Sequence, residues 1–138
     1  MNYRDYLAAF AAASAWTTEE RRAIIAARED RGAARRAYEE AYAAWGKAAA
    51  LSGEARRREG IALPALEEAK NLAKVAHDRA VAHAGRVMEV CDTARQARRL
   101  PIKAEWQTAC DRRTVERIER QLARPPVRSR VLDAPESA

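Results

Sequence analysis

Alanine, the strongest helix former, fills 34 of the 138 positions, and most of these alanines lie in two runs over roughly residues 18–59 and 64–99. An alanine side chain buries little apolar area, so helices lined by it approach closely but gain little from each contact. Apart from alanine, only 32 apolar residues remain, which is few for a broad core. The chain is therefore expected to form long, closely packed helices and no sheet.

The first two predicted helices have recognisable starts. A short helix over residues 2–14 carries a one-sided apolar face, made of Tyr3, Tyr6, Leu7 and Phe10. Thr17 and Glu20 have the spacing of a capping box, which predicts a second helix over about 18–58. Its contact positions recur every three or four residues, at Ile24, Ala27, Arg31, Ala34, Tyr38, Ala41, Trp45, Ala48, Ser52 and Ala55.

Gly60 and Pro64 predict a turn into a third helix over about 64–99, which Leu100–Pro101 is expected to end. A fourth helix is predicted over about 102–124, and residues 125–138 are expected to be a disordered tail. The third helix has its contact positions at Leu66, Ala69, Ala73, Ala76, Ala80, His83, Val87, Val90, Ala94 and Ala97. The fourth has one apolar stripe, formed by Ile102, Trp106, Cys110, Val115, Ile118 and Leu122.

These helices predict an all-α, coiled-coil-like fold in a single domain, residues 1–124. Its centre is a long antiparallel hairpin of residues 18–58 and 64–99, because the short connection makes the two helices neighbours. Counting outward from a turn centred near residue 61.5 places Trp45 beside residue 78 and Tyr38 beside Gly85. Large side chains then face small ones, as close helix packing requires.

The two cysteines receive a similar prediction. A turn at residue 100.5 would place Cys91 and Cys110 at the same level of adjacent helices. We expect either two reduced, buried thiols or a disulfide, with the first favoured in a reducing cytoplasm.

No arrangement of residues indicates catalysis, and we expect no enzyme activity, catalytic residue, cofactor or metal site. His77 and His83 are six residues apart, so they point to different sides of a helix, with only His83 on the predicted contact face. Adjacent acids such as Glu39 and Glu40 also diverge and are expected to be solvated. The recognisable motifs for metal, phosphate or nucleophilic sites are absent from the sequence.

Positive charge is concentrated near one end of the chain. The whole protein has a net charge of +6, and residues 95–130 alone contain eleven basic and four acidic residues. Such a region can be a solvated helix face, a phosphate-binding surface or a docking site for an acidic protein. The residues predicted to meet a partner are Trp16, Trp106, Arg112, Arg113, Arg117, Arg120 and Arg124.

The function expected from this shape is that of a non-enzymatic helical adaptor or structural protein that docks larger protein partners. In outline, residues 18–99 resemble the export-apparatus stalk proteins of the flagellar and type III secretion family, although Pro101 interrupts the second long helix that such a stalk needs. A phage virion or assembly component fits equally well. The alternative is a nucleic-acid-binding protein that uses residues 95–130.

The remaining expectations concern location and assembly. Incompletely covered apolar residues on the hairpin predict a homo-oligomer in addition to other protein partners. No apolar run approaches the length of a membrane span, so no span is expected. The expected location is the cytoplasm, or the interior of a virion or secretion assembly.

Overall fold

The computed structural model describes residues 1–126, so the predicted tail lies outside the described residues except for Pro125 and Pro126. The helices in chain order are α1 (Tyr3–Ser14), α2 (Thr18–Ala50), α3 (Gly53–Glu59) and α4 (Leu63–Ala123). The long helices α2 and α4 pack against each other, which confirms the predicted all-α hairpin.

Contacts divide the chain into two compact units. We call Ser14–Ala97 the hairpin unit, and Met1–Ala13 together with the described residues from Arg98 onward the terminal unit. The prediction of a single domain stays a prediction.

Helix α2 begins with the predicted capping box. The Thr17 hydroxyl accepts a hydrogen bond from the Glu20 N–H at 3.1 Å, and the Glu20 carboxylate accepts one from the Thr17 N–H at 2.9 Å. Each bond satisfies a backbone donor that the first helical turn leaves unpaired. Seven of the eight predicted contact positions that lie in α2 are buried or half-buried, namely Ile24, Ala27, Ala34, Tyr38, Ala41, Trp45 and Ala48. The predicted contact face of this helix is therefore confirmed along most of its length.

The predicted helix 18–58 is wrong at its C-terminal end, because the chain breaks after Ala50. Leu51 is extended, and the Ser52 hydroxyl starts α3 by accepting the Ala55 N–H at 3.1 Å. The Arg56 guanidinium donates to the Ala48 and Leu51 carbonyls at 3.1 and 2.6 Å, which satisfies acceptors at the end of α2. Side-chain caps thus favour two helices over one.

The turn predicted at Gly60 is confirmed. Gly60 ends α3 with φ 69°, a left-handed conformation that costs a residue with a side chain about 1 kcal/mol or more. The Ile61 N–H then donates back to the Arg56 carbonyl at 2.9 Å. The chain reverses here and enters α4 at Leu63.

The predicted register of the hairpin is wrong by eight residues. Tyr38 stacks on His77, with ring centroids 6.1 Å apart, rather than lying beside Gly85. The Lys70 ammonium lies 3.8 Å from the centroid of the Trp45 ring, where residue 78 was expected. The shift is caused by α3, because its residues form a separate short helix and do not lengthen either of the two long helices.

The predicted contact face of α4 is confirmed only in part, because Leu66, Ala73, Ala80, Val87 and Ala94 are half-buried while Ala69, Ala76, Val90 and Ala97 are exposed. Ala84 and Cys91 are its buried residues in the hairpin unit, and His77 is half-buried. His83, predicted on the contact face, is exposed. A Cβ added to Gly85 would have no atom within 4 Å, so this glycine does not mark a close approach of the helices.

Helix α4 passes through Pro101, so the predicted separate helices 64–99 and 102–124 are wrong. Proline lacks the N–H that would bond to the Ala97 carbonyl, and the two units divide between Ala97 and Arg98, at that missing bond. Strong helix formers on both sides compensate for the loss of one hydrogen bond.

The continuous helix also removes the predicted pairing of the cysteines. Cys91 and Cys110 follow one another along α4 instead of facing each other across a turn, and both thiols are free. Among residues 1–126, no helix has an apolar stretch that could cross a bilayer.

Candidate partner-binding surface

The terminal unit is built around an aromatic cluster, which consists of Tyr3, Tyr6 and Phe10 of α1 with Trp106 of α4. Tyr6 stacks on Trp106 with a centroid distance of 5.0 Å and an interplanar angle of 17°. Tyr3 lies 5.7 Å from the same indole, and Phe10 lies 5.7 Å from Tyr6. The predicted one-sided face of α1 thus contacts α4 through its aromatic rings, although Tyr3 and Leu7 remain 60 and 46% exposed.

Basic side chains of α4 surround this cluster. The Arg99 guanidinium lies 5.1 Å and the Lys103 ammonium 5.7 Å from the Phe10 ring centroid, and Arg113 lies 5.3 Å from that of Trp106. Such cation–π contacts are each worth about 0.5–1 kcal/mol at exposed sites. Arg113 also donates to the Met1 carbonyl at 2.7 Å, and Arg98 to the Ala13 carbonyl at 3.2 Å. These contacts fasten both ends of α1 to α4.

Beyond α1, the same side of α4 becomes basic. Ile102, Trp106 and Ala109 are half-buried, and steps of four, three and four residues continue this side through Arg113, Arg117, Arg120 and Arg124. We call these four residues the arginine face. They line one shallow surface cavity of about 500 Å³ together with Thr114 and Gln121.

The arginine face is open. Every residue from 111 to 126 is exposed, and the described residues place no carboxylate in an ion pair with the three outer arginines. Arg120 bonds only weakly to its own helix, with a 3.3 Å contact from Nε to the Glu116 carbonyl. At 1.5 Å per residue the four arginines span about 16 Å of helix. The arrangement can bind a row of anions.

Val115, Ile118 and Leu122 lie on the opposite side of α4 and are 53, 47 and 81% exposed. The prediction that they share a stripe with Trp106 and Cys110 is wrong. The five-residue step from Cys110 to Val115 turns about 140° around a helix, which breaks the three- and four-residue rhythm. That step is visible in the sequence and would have revealed the arginine face.

The structure brings four of the five predicted arginines together. Arg112 is the exception, since it lines a different surface with Met1, Glu105, Thr108 and Ala109. Trp106 is half-buried in the aromatic cluster, so its role in this unit is to hold α1. The part of the basic region beyond residue 126 lies outside the described residues.

Trp16 belongs to the hairpin unit. It is half-buried, and the Arg95 guanidinium covers its ring at 4.1 Å from the centroid. Arg95 is in turn held by an ion pair with Asp92. This indole is therefore covered by a side chain of its own unit.

The histidines and cysteines form no common site. His77 packs on Tyr38, and His83 lies beside Val87, Val90 and Cys91 along a shallow groove of the hairpin unit. Among the described residues, no three histidine, cysteine or acidic side chains converge as metal ligands would.

The chain matches no family model, and neither a curated protein nor a solved structure shows significant similarity to it.

Proposed function

We propose that the chain is a non-enzymatic helical adaptor that docks larger protein partners in a multi-subunit assembly. One observation carries this proposal. Among the described residues, the buried apolar set consists of Ile24, Ala27, Ala48, Ala84 and Cys91, whereas twelve large apolar side chains are exposed. Helices that expose more large apolar side chains than they bury gain stability when another protein covers them.

The hairpin unit offers the clearest docking positions. Leu72 and Val90 of α4 are 64 and 69% exposed, and eighteen residues, or five helical turns, separate them, so they lie in line. Val75 is also exposed near this line. These three side chains are exposed apolar positions at which a partner protein can contact α4.

Two kinds of assembly fit this proposal, a secretion-apparatus stalk and a phage virion or its assembly machinery. Helix α4 is continuous through Pro101, so the chain has the uninterrupted second long helix that a stalk needs. A second copy of the chain is a further candidate partner, and light scattering would detect it as a multiple of 15.4 kDa.

The test is quantitative capture from an extract of the organism that encodes the chain. We expect the wild type to retain specific proteins, and L72D/V90D to lose them. The matched control is A82D/A43D, which places the same charges at exposed alanines of the hairpin unit outside the line through Leu72 and Val90. Equal capture by both double variants, or none by the wild type together with a monomeric mass, would contradict the proposal.

Nucleic-acid binding by the basic region is the second candidate, and the observation that favours it is the open arginine face. We expect R112E/R113E/R117E/R120E to abolish any binding of a generic DNA duplex. Binding of this kind weakens steeply with salt, because arginines displace counterions from phosphates. A mobility-shift titration at low salt that shows no complex with wild-type protein would eliminate this candidate.

A further inference from the structure

We propose that the arginine face binds a helix of a different protein, one that carries acidic side chains at matching intervals of four, three and four residues. This inference rests on the proposed adaptor function and specifies the chemistry of one partner. Its basis is the position of the arginines. They continue the side of α4 that Ile102, Trp106 and Ala109 use to pack within the terminal unit.

The spacing of the arginines matches the geometry of another helix. Steps of four and three residues keep Arg113, Arg117, Arg120 and Arg124 on one side over about three turns. Acids at the same intervals on a partner helix form a row of equal pitch. Each guanidinium can then bind one carboxylate through two parallel hydrogen bonds, a geometry that lysine cannot provide.

Arg113 adds orientation to this row. Its guanidinium is held by the Met1 carbonyl and lies over the Trp106 ring, whereas the outer three arginines extend into solvent. A side chain that is already held loses less conformational freedom on binding than a free one. We therefore expect the partner helix to align first at this end of the face.

The charge pattern favours a protein helix over a nucleic acid. Residues 111–124 contain five arginines and three acids, a net charge of only +2. Glu116 and Glu119 lie beside or behind the arginines and repel a uniform polyanion, whose binding scales with the number of phosphates neutralised. A helix of mixed charge can place basic residues opposite these acids and carboxylates opposite the arginines.

The partner is a different protein because this chain has no matching row of acids. No two of its twenty acidic residues are four positions apart, and no three follow the required spacing. A second copy of the chain therefore cannot supply the row.

Two synthetic helical peptides provide the test. One places four glutamates at the matching intervals of an alanine-based helix. The other has the same composition and net charge, with the glutamates distributed around the helix. We expect full-length protein to bind the first peptide at least about tenfold more tightly in fluorescence anisotropy near 0.1 M salt, a difference of about 1.4 kcal/mol.

Variants of equal charge identify the surface. R117E/R120E should lower affinity for the first peptide by more than about tenfold. R112E/R79E makes the same charge change at exposed arginines off the face, and it should change affinity by less than about threefold, the residual effect of net charge. All four positions are exposed, so circular dichroism should report unchanged helicity.

The outcomes separate this inference from the adaptor function. Equal affinity for the two peptides, or equal losses in the two variants, would overturn the inference. Tighter binding of a DNA duplex than of the first peptide at the same salt would assign the surface to nucleic acid instead. Capture of partners through Leu72 and Val90 tests the adaptor function separately, at positions outside the arginine face.

Discussion

The two units use helix α4 in opposite ways. In the hairpin unit, α4 packs against α2 through small residues such as Ala84 and Cys91, which are 4 and 5% exposed. In the terminal unit, α4 contacts α1 through Trp106 and then continues as a row of exposed arginines. Small residues let two helix backbones approach, whereas long charged side chains keep their charges in water or pair them with opposite charges. The heptad-like spacing alone does not distinguish these two uses.

Placing an arginine among the small contact residues of α4 in the hairpin unit should have the largest effect on stability. Ala84 is buried and lines the same groove as Ala27 and Ile24 of α2, so A84R either buries an unpaired charge or separates the helices. We expect a loss of about 3–5 kcal/mol in the free energy of unfolding, measured by urea titration of the circular dichroism signal.

A82R is the matched control, because Ala82 is exposed two residues away on the same helix. It should change the free energy of unfolding by less than about 0.5 kcal/mol. Equal losses in the two variants would show that the contact face of α4 is not selective for small residues.

Removal of the indole of Trp106 should have the next largest effect, and only in the terminal unit. W106A deletes the ring that stacks on Tyr6 and contacts Tyr3, and we expect α1 to lose about 2 kcal/mol of docking energy. Hydrogen exchange of the α1 amides would measure this loss as a roughly 30-fold decrease in protection.

W106F retains an aromatic ring at this position and should preserve more than half of the α1 protection. Unchanged exchange in W106A would contradict the idea that aromatic contacts hold α1 on α4.

The helix break at Ser52 separates the two long helices and sets their register, so its cap offers a smaller, local test. S52A removes the hydroxyl that accepts the Ala55 N–H and should cost about 1 kcal/mol. S52D restores an acceptor and should recover most of the loss. The measurement is the thermal midpoint of the full chain, and a stabilising S52A would show that the break is not held by this cap.

The sequence was sufficient to predict local features and insufficient to predict how they combine. The Thr17 capping box and the turn at Gly60 are confirmed because each depends on a few neighbouring residues, and the contact face of α2 is confirmed because its apolar period is regular. The predicted register of the hairpin is wrong because the cap at Ser52 competes with helix propensity. Counting residues outward from the turn gives the right register only if the helix is unbroken. The helix end predicted at Pro101 is wrong for the opposite reason, since long helical flanks outweigh one local disruption.

The sequence predicts that positive charge is concentrated in this region, but it does not predict which arginines share one side of the helix. Five arginines were identified from composition, yet the structure separates Arg112 from the other four. The five-residue step at Cys110–Val115 contains the missing information. The predicted stripe runs across that step without a break, whereas in the helix the step places the arginines on the side facing away from Val115.

Removing two side chains from the arginine face should have the smallest effect on stability. R117A/R120A replaces two arginines by alanine, the residue that occupies the equivalent contact positions of the hairpin unit. Both side chains are exposed, and Arg120 has only a 3.3 Å contact with its own helix. The free energy of unfolding should therefore change by less than about 0.5 kcal/mol. Alanine also has the higher helix propensity, which favours a slight gain. A loss of more than about 1 kcal/mol in urea titration would mean that these arginines stabilise the fold. No loss would show that neither guanidinium is committed to the fold, so both are available to a partner.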